Sequence, residues 1–212
     1  MQSSIFDRTL QNLNGEAGMF EMHSKLPSFP GDLLVQPRGH FRPPIPIKTL
    51  WSAGPLVLVV LRRPGCFLCR TAAQKMMSIA KDIKSNGGTM VCILKSSLDS
   101  QEFVDLIWSE DIYYDYDLNI YNYIWNGEAK RVNLFKEAIT PAFWKNVKNA
   151  KHNWKESNFV GEGYILGGVV VISTTGEVVY KFLEEISGDC PPTQGTKIQH
   201  RCFRCSHIAT AL

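Results

Sequence analysis

Six apolar residues in a row, Leu56-Val57-Leu58-Val59-Val60-Leu61, run through Arg62-Arg63-Pro64-Gly65 directly into Cys66-Phe67-Leu68-Cys69. A continuously apolar run of this length, with no alternation, predicts a strand covered on both faces, as in a parallel or mixed sheet between helix layers. Pro64 removes an amide donor and Gly65 permits a tight turn, so the strand stops there. Beyond Arg70, residues Ala72, Met76, Ile79, Ala80 and Ile83 recur at helical spacing. They predict one helix that runs to Asn86-Gly87-Gly88, residues tolerant of the left-handed C-terminal conformation. The order strand, turn, cysteine pair, helix points to an α/β fold with two cysteines at a helix N-terminus.

That position has chemical consequences. A helix N-terminus offers free amides and partial positive charge, both of which favour thiolate over thiol. Arg62, Arg63 and Arg70 lie within a few residues and are candidate thiolate-stabilising groups. A free cysteine titrates near ~8.5, and such surroundings lower that value. Two cysteines three apart can also close a disulfide, one attacking and the other resolving. A zinc knuckle would need two further ligands, and none lies close in sequence, so no metal is assigned. Cys66 and Cys69 are therefore the candidate catalytic residues.

The block Leu61-Arg62-Arg63-Pro64-Gly65-Cys66-Phe67-Leu68-Cys69-Arg70 resembles the signature of the peroxiredoxin-like 2 family, thioredoxin-like proteins of the AhpC/TSA group, and is nearest its A-type, redox-regulatory branch. Leu50-Trp51, the segment Gly161-Glu162-Gly163-Tyr164-Ile165-Leu166-Gly167-Gly168-Val169-Val170-Val171-Ile172, and Gly188-Asp189 extend the resemblance across residues 50–189. It implies a thioredoxin-like fold, with a mixed central sheet flanked by helices. It also implies a thiol-disulfide oxidoreductase with antioxidant or redox-regulatory activity through the C-x-x-C pair. A sister branch, a prostamide/prostaglandin F synthase, reduces lipid endoperoxides with the same motif. A third reading is a non-catalytic protein whose thiols only sense redox state. Thioredoxin or glutathione would be the reductant, and a peroxide, disulfide or lipid endoperoxide the substrate. No further cofactor is implied. Thioredoxin analogy makes Cys66 the attacking residue; peroxiredoxin analogy, in which T-x-x-C replaces the pair, points to Cys69.

In thioredoxin folds the residue entering the last hairpin faces the cysteines. Thioredoxins have a cis-proline there and typical peroxiredoxins an arginine. This chain has Gly167 and Gly168, expected to let backbone approach the sulfurs. Cys66 likewise stands where typical peroxiredoxins carry threonine. Both departures argue against fast peroxidase chemistry.

A chain of 212 residues suffices for one domain, and 44% apolar with 20% charged residues is ordinary for a globular protein. A net charge of +3 is too small to argue for a nucleic-acid partner. The first twenty residues hold Asp7, Arg8 and Glu16 and no sustained apolar run, so neither a secretory signal nor a transmembrane segment is expected. Six cysteines are below disulfide-scaffold density, which favours a reducing, cytoplasmic setting. The proline-rich residues 1–47 read as an irregular arm draped on a domain at 48–189 through Phe20, Phe29, Leu33, Leu34 and Phe41. His23 and His40 are read as solvated.

Thr89 to Leu94 predicts a second strand in which Cys92 serves as a small hydrophobe. Ile112 to Asp115 reads as another strand, which the family resemblance continues into a turn and a short helix over 118–124. Lysines and aromatics then interleave from Trp125 to Phe159, with an amphipathic helix starting at Pro141. The aromatics are expected to pack on the domain; the alternative is an apolar substrate or partner surface near the thiols. Residues 169–173 and 177–183 read as a β-hairpin. The last stretch, 190–212, departs from the family and is expected to be a disordered tail. Its His200, Cys202, Cys205 and His207 crowd too closely for a usual zinc site.

Overall fold

The computed structural model describes residues 27–39, 42–98, 100–153, 155, 157–158 and 160–193. In chain order the strands are β1 (Leu34–Pro37), β2 (Ile45–Pro46), β3 (Leu56–Val60), β4 (Thr89–Leu94), β5 (Asp111–Tyr114), β6 (Gly168–Ile172) and β7 (Val178–Leu183). The helices are α1 (Phe67–Met77), α2 (Ala80–Ser85), α3 (Ser100–Leu106), α4 (Asn119–Ile124), α5 (Leu134–Ala138) and α6 (Pro141–Asn149). One sheet takes the order β2-β1-β5-β4-β3-β6-β7. Strands β3, β4 and β5 pair in parallel, whereas β6, β7 and β1 join antiparallel. This is the mixed sheet flanked by helices that a thioredoxin-like fold requires.

Strand β3 is central, and each of its five residues is buried. Val57 and Val59 face the layer holding Ala72, Met76, Phe103 and Trp108, and Leu56, Leu58 and Val60 face Ile120, Tyr121 and Ile124. Coverage on both sides is why the strand has no polar alternation. Truncating Leu58 to alanine would cost about 2–5 kcal/mol by cavity formation. Cys92 in β4 is fully buried, and burial pushes its thiol well above the ordinary range. The expected small hydrophobe is what the core contains.

Two expectations need correction. The helix predicted after the cysteines breaks into α1 and α2 at Ser78 and Ile79, although Ile79, Ala80 and Ile83 remain buried on the predicted face. Ser78 Oγ donates to Lys75 O at 2.7 Å, the local side-chain competition that disfavours helix interiors. The second correction concerns the arm, within which Leu34–Pro37 pairs with β5 and Ile45–Pro46 with β1. Val35 and Phe29 are core residues, whereas Leu34 is 54% exposed. Phe20, His23, His40, Phe41 and the tail beyond Thr193 lie outside the described residues.

Candidate active site at the cysteine pair

Cys66 is the cap residue of α1, in an extended conformation (φ −76°, ψ 125°), and its carbonyl accepts the first intrahelical bond, from Arg70 N at 2.9 Å. Cys69 lies one turn on. Both are free thiols; Cys66 is 6% exposed and Cys69 fully buried. Phe143, Val147 and Ala150, at i, i+4 and i+7 along α6 and just past its end, pack against the pair and against Phe67 and Leu68. The helix expected from Pro141 is present, with proline in its first turn.

The three flanking arginines have different partners. Arg62 is buried, and its Nη2 lies 3.7 Å from Cys66 Sγ. Its Nη1 donates to Ser187 Oγ at 2.7 Å, and its Nε is 3.9 Å from Glu184 Oε2. Arg70 turns away: its Nε donates to Pro64 O at 2.9 Å and its Nη2 pairs with Glu102 Oε2 at 2.8 Å. Arg63 donates to Gly161 O at 3.3 Å and packs over Gly163. The direct thiol contact is therefore made by Arg62, while Arg70 ties the loop before Cys66 to α3.

Gly167 and Gly168 play a sheet role. A β-carbon at Gly167 would run into Val60 O, and one at Gly168 into Phe182 O. The space they leave thus admits neighbouring strand backbone. Gly167 still reaches the site indirectly, because its N–H donates to Glu184 Oε2 at 2.9 Å and its carbonyl accepts from Glu184 N at 3.1 Å.

Sequence reasoning missed Glu184, Ser187 and Glu137. Glu184 follows β7 at the start of a loop through Asp189. Ser187 N donates to Glu137 Oε1 at 2.7 Å, and Asn146 Nδ2 donates to Ser187 O and Asp189 Oδ1 at 3.2 and 3.1 Å. Gly188 takes φ +86°, and a β-carbon there would meet Leu68, so glycine lets this loop lie against the first turn of α1. A carboxylate directly after the apolar strand Val178–Leu183 was the available signal.

Electrostatics separates the two sulfurs. The Cys69 thiol, donating to Cys66, holds Cys66 well below the usual range; burial opposes this, and Arg62 and the Cys69 and Leu68 amides reinforce it. Cys69 moves well upward, because its proton is shared with Cys66 and because it is buried. Burial works against the charge on Arg62, and the anionic forms of Cys69 and Cys66, then Glu184 and Glu137, outweigh it. Burial pushes Glu184 up to about 7, with Arg62 and the Gly167 amide limiting the rise. The arrangement favours a thiolate at Cys66 beside a protonated thiol at Cys69. Cys92 and Cys190 offer no comparable site: Cys190 Sγ donates to Ala72 O at 3.8 Å, and burial pushes its thiol up to about 12. No group of His, Cys, Asp or Glu side chains among the described residues is arranged to hold a metal. No helix among them is long and apolar enough to cross a membrane.

Comparison with known proteins gives the family and the fold. The family profile for AhpC/TSA antioxidant enzymes matches residues 75–185, just over half of the chain, and begins beyond Cys69. Peroxiredoxin-like 2A of Xenopus tropicalis is 30% identical over 128 residues, covering 60% of this chain and 54% of that protein. The chain thus spans about half the length of that relative. Prostamide/prostaglandin F synthase of Danio rerio is 28% identical over 152 residues, covering 71% of this chain and 76% of that one. Among solved structures, peroxidoxin BcpB from Mycobacterium tuberculosis superposes with a TM-score of 0.52 at 15% identity, covering 90% of this chain and 99% of that chain. That last likeness shows the fold.

Proposed function

The chain belongs to the AhpC/TSA antioxidant enzyme family, and from that premise we propose that it is a thiol-disulfide oxidoreductase with antioxidant or redox-regulatory output, acting through Cys66 and Cys69. One observation carries the reading: Cys66 caps α1 with Arg62 Nη2 at 3.7 Å and Cys69 one turn away. This supports Cys66 as the attacking residue. With a peroxide, the Cys66 thiolate attacks one oxygen, the O–O bond breaks, and the departing alkoxide takes a proton to become an alcohol. Cys66 is then a sulfenic acid. The Cys69 sulfur attacks it, the S–O bond breaks, and water leaves with the Cys69 proton as the Cys66–Cys69 disulfide forms. Two electrons from an external dithiol, thioredoxin or two glutathiones, restore both thiols. Glu184 acts as a positioning residue, since its charge competes with the Cys66 thiolate for Arg62.

A second reading, reduction of a lipid endoperoxide, is favoured by the apolar wall of Phe143 and Val147 beside Cys66 and by the similarity to prostamide/prostaglandin F synthase. Both readings place the protein outside the purely sensing class. The deciding experiment is a substrate panel of hydrogen peroxide, an alkyl hydroperoxide, a prostaglandin endoperoxide and a protein disulfide, with thioredoxin, its reductase and NADPH as electron supply. Turnover that Cys66→Ser abolishes is expected. No thiol-dependent turnover on any substrate, or turnover indifferent to Cys66→Ser, would overturn enzymatic function at this site.

A further inference from the structure

Helices α5 and α6 have an inner and an outer side with opposite fates. Inward, Phe143 and Val147 line the cysteine pair. Outward, Phe135 is 89% exposed, Ile139 82% and Trp144 56%. Phe135 in α5 and Ile139, the residue that caps its C-terminus, are four apart and so fall on one side. Trp144 joins them, because its Nε1 donates to Ala138 O at 2.7 Å and so holds the indole against the end of α5. Burying three large apolar side chains would be favourable, and nothing among the described residues does so.

Along the chain the exposed charge of this segment has a single sign, and Asp189, which accepts from Asn146 Nδ2 at 3.1 Å, is a carboxylate that reaches α6 from elsewhere. Residues 131–153 contain one carboxylate, Glu137, and it is buried against Ser187 N. Lys136, Lys145, Lys148 and Lys151 are all exposed. The aromatics expected to pack on the domain therefore divide, Phe143 packing and Trp144 protruding. We propose that α5 and α6 form a docking surface for an anionic lipid bilayer, with Phe135, Ile139 and Trp144 entering the headgroup region and the four lysines meeting lipid phosphates and carboxylates. Exposed aromatic and aliphatic side chains in a segment with four exposed lysines match what an interfacial site needs. A protein partner would have to supply a pocket for each protruding side chain, whereas a bilayer deforms around all three. The thiols lie beneath the same helix, so docking would hold them about 10 Å, one helix diameter, from the lipid-facing side.

The test is sedimentation of the whole chain with vesicles of phosphatidylcholine alone and of phosphatidylcholine mixed with phosphatidylserine. Binding is expected to the mixed vesicles, to weaken with salt, and to be lost in Phe135→Ser/Ile139→Ser, whose exposed positions leave the thermal transition unchanged. Lys145→Gln/Lys148→Gln should weaken it about 30-fold, the contribution of two lysines at an anionic surface. No sedimentation of the wild type with mixed vesicles would overturn the proposal, as would equal sedimentation of wild type and serine variant. Vesicle-independent self-association, or binding of an oligonucleotide, that depends on Phe135 in the absence of lipid binding would reassign the surface.

Discussion

Arg62 and Cys66 are four residues apart across a turn, and the guanidinium Nη2 lies 3.7 Å from Sγ with both side chains buried. A cation this close to a desolvated sulfur favours the thiolate, and burial limits screening by salt. Arg70, nearer to Cys69 in sequence, spends its charge on Pro64 O and Glu102. The pH midpoint of Cys66 alkylation should therefore rise by about one unit in Arg62→Met, a change equivalent to about 1.4 kcal/mol. Arg62→Lys, which keeps a charge for Glu184 to face, should give a smaller rise, and added salt should leave the difference intact. Alkylation in Arg62→Met with the wild-type pH profile would assign thiolate stabilisation to the helix end and Cys69 alone.

Arg70 should matter for stability. It is fully buried, and its loss would leave Pro64 O without its donor and Glu102 without its partner. Glu102 is nearly half exposed, so most of the cost lies in the buried carbonyl. Arg70→Met should lower unfolding free energy in urea by about 1–3 kcal/mol with little movement of the alkylation midpoint. An unchanged urea midpoint would show that water replaces the guanidinium at no cost.

Mild oxidation should link Cys66 to Cys69 and leave Cys92 as a thiol, because Cys92 is shut in the core. Mass spectrometry of peptides should show the linkage, and reductant should remove it. In Cys69→Ser, peroxide should instead leave a sulfenic acid at Cys66 that dimedone traps. If the adduct forms on Cys69 in Cys66→Ser and never on Cys66 in Cys69→Ser, the roles of the two residues are reversed.

How far the sequence led depended on range. The strand, the turn and the cysteine pair at a helix start are local, written in adjacent residues and in period 3.6, and the structure has them where the pattern puts them. Which arginine meets the sulfur is not local. All three lie within four residues of the pair, and sequence distance does not tell them apart: Arg70, adjacent to Cys69, turns away while Arg62 meets Cys66. Glu184 and Ser187 were illegible for a different reason: they reach Arg62 only after β6 and β7 close the sheet. Strand β1 is four residues long, ends in proline and pairs with β5 far along the chain. Its partner supplies the order that its own composition hides.

Glu184 offers a test of the buried network by pH. Burial pushes its carboxyl from 4.5 up to about 7, so the folded chain holds this proton more tightly than the unfolded chain does. Below about pH 4.5 both states are protonated, and the group's favourable contribution is complete. As pH rises toward 7 the unfolded chain ionises while the folded one resists, and that contribution is lost. At about 1.4 kcal/mol for each pH unit, the loss across this window is about 3 kcal/mol. Glu184→Gln keeps an acceptor for the Gly167 amide and cannot ionise. Its stability relative to wild type should therefore climb between pH 5 and 7 and level off above. Urea unfolding of both proteins across that range measures the difference, with titrating groups remote from Glu184 cancelling. Parallel profiles would mean that Glu184 ionises in the folded state as readily as in water. In that case the Arg62 charge is shared from the outset, and Glu184 holds Arg62 as a fixed anion across the whole range measured.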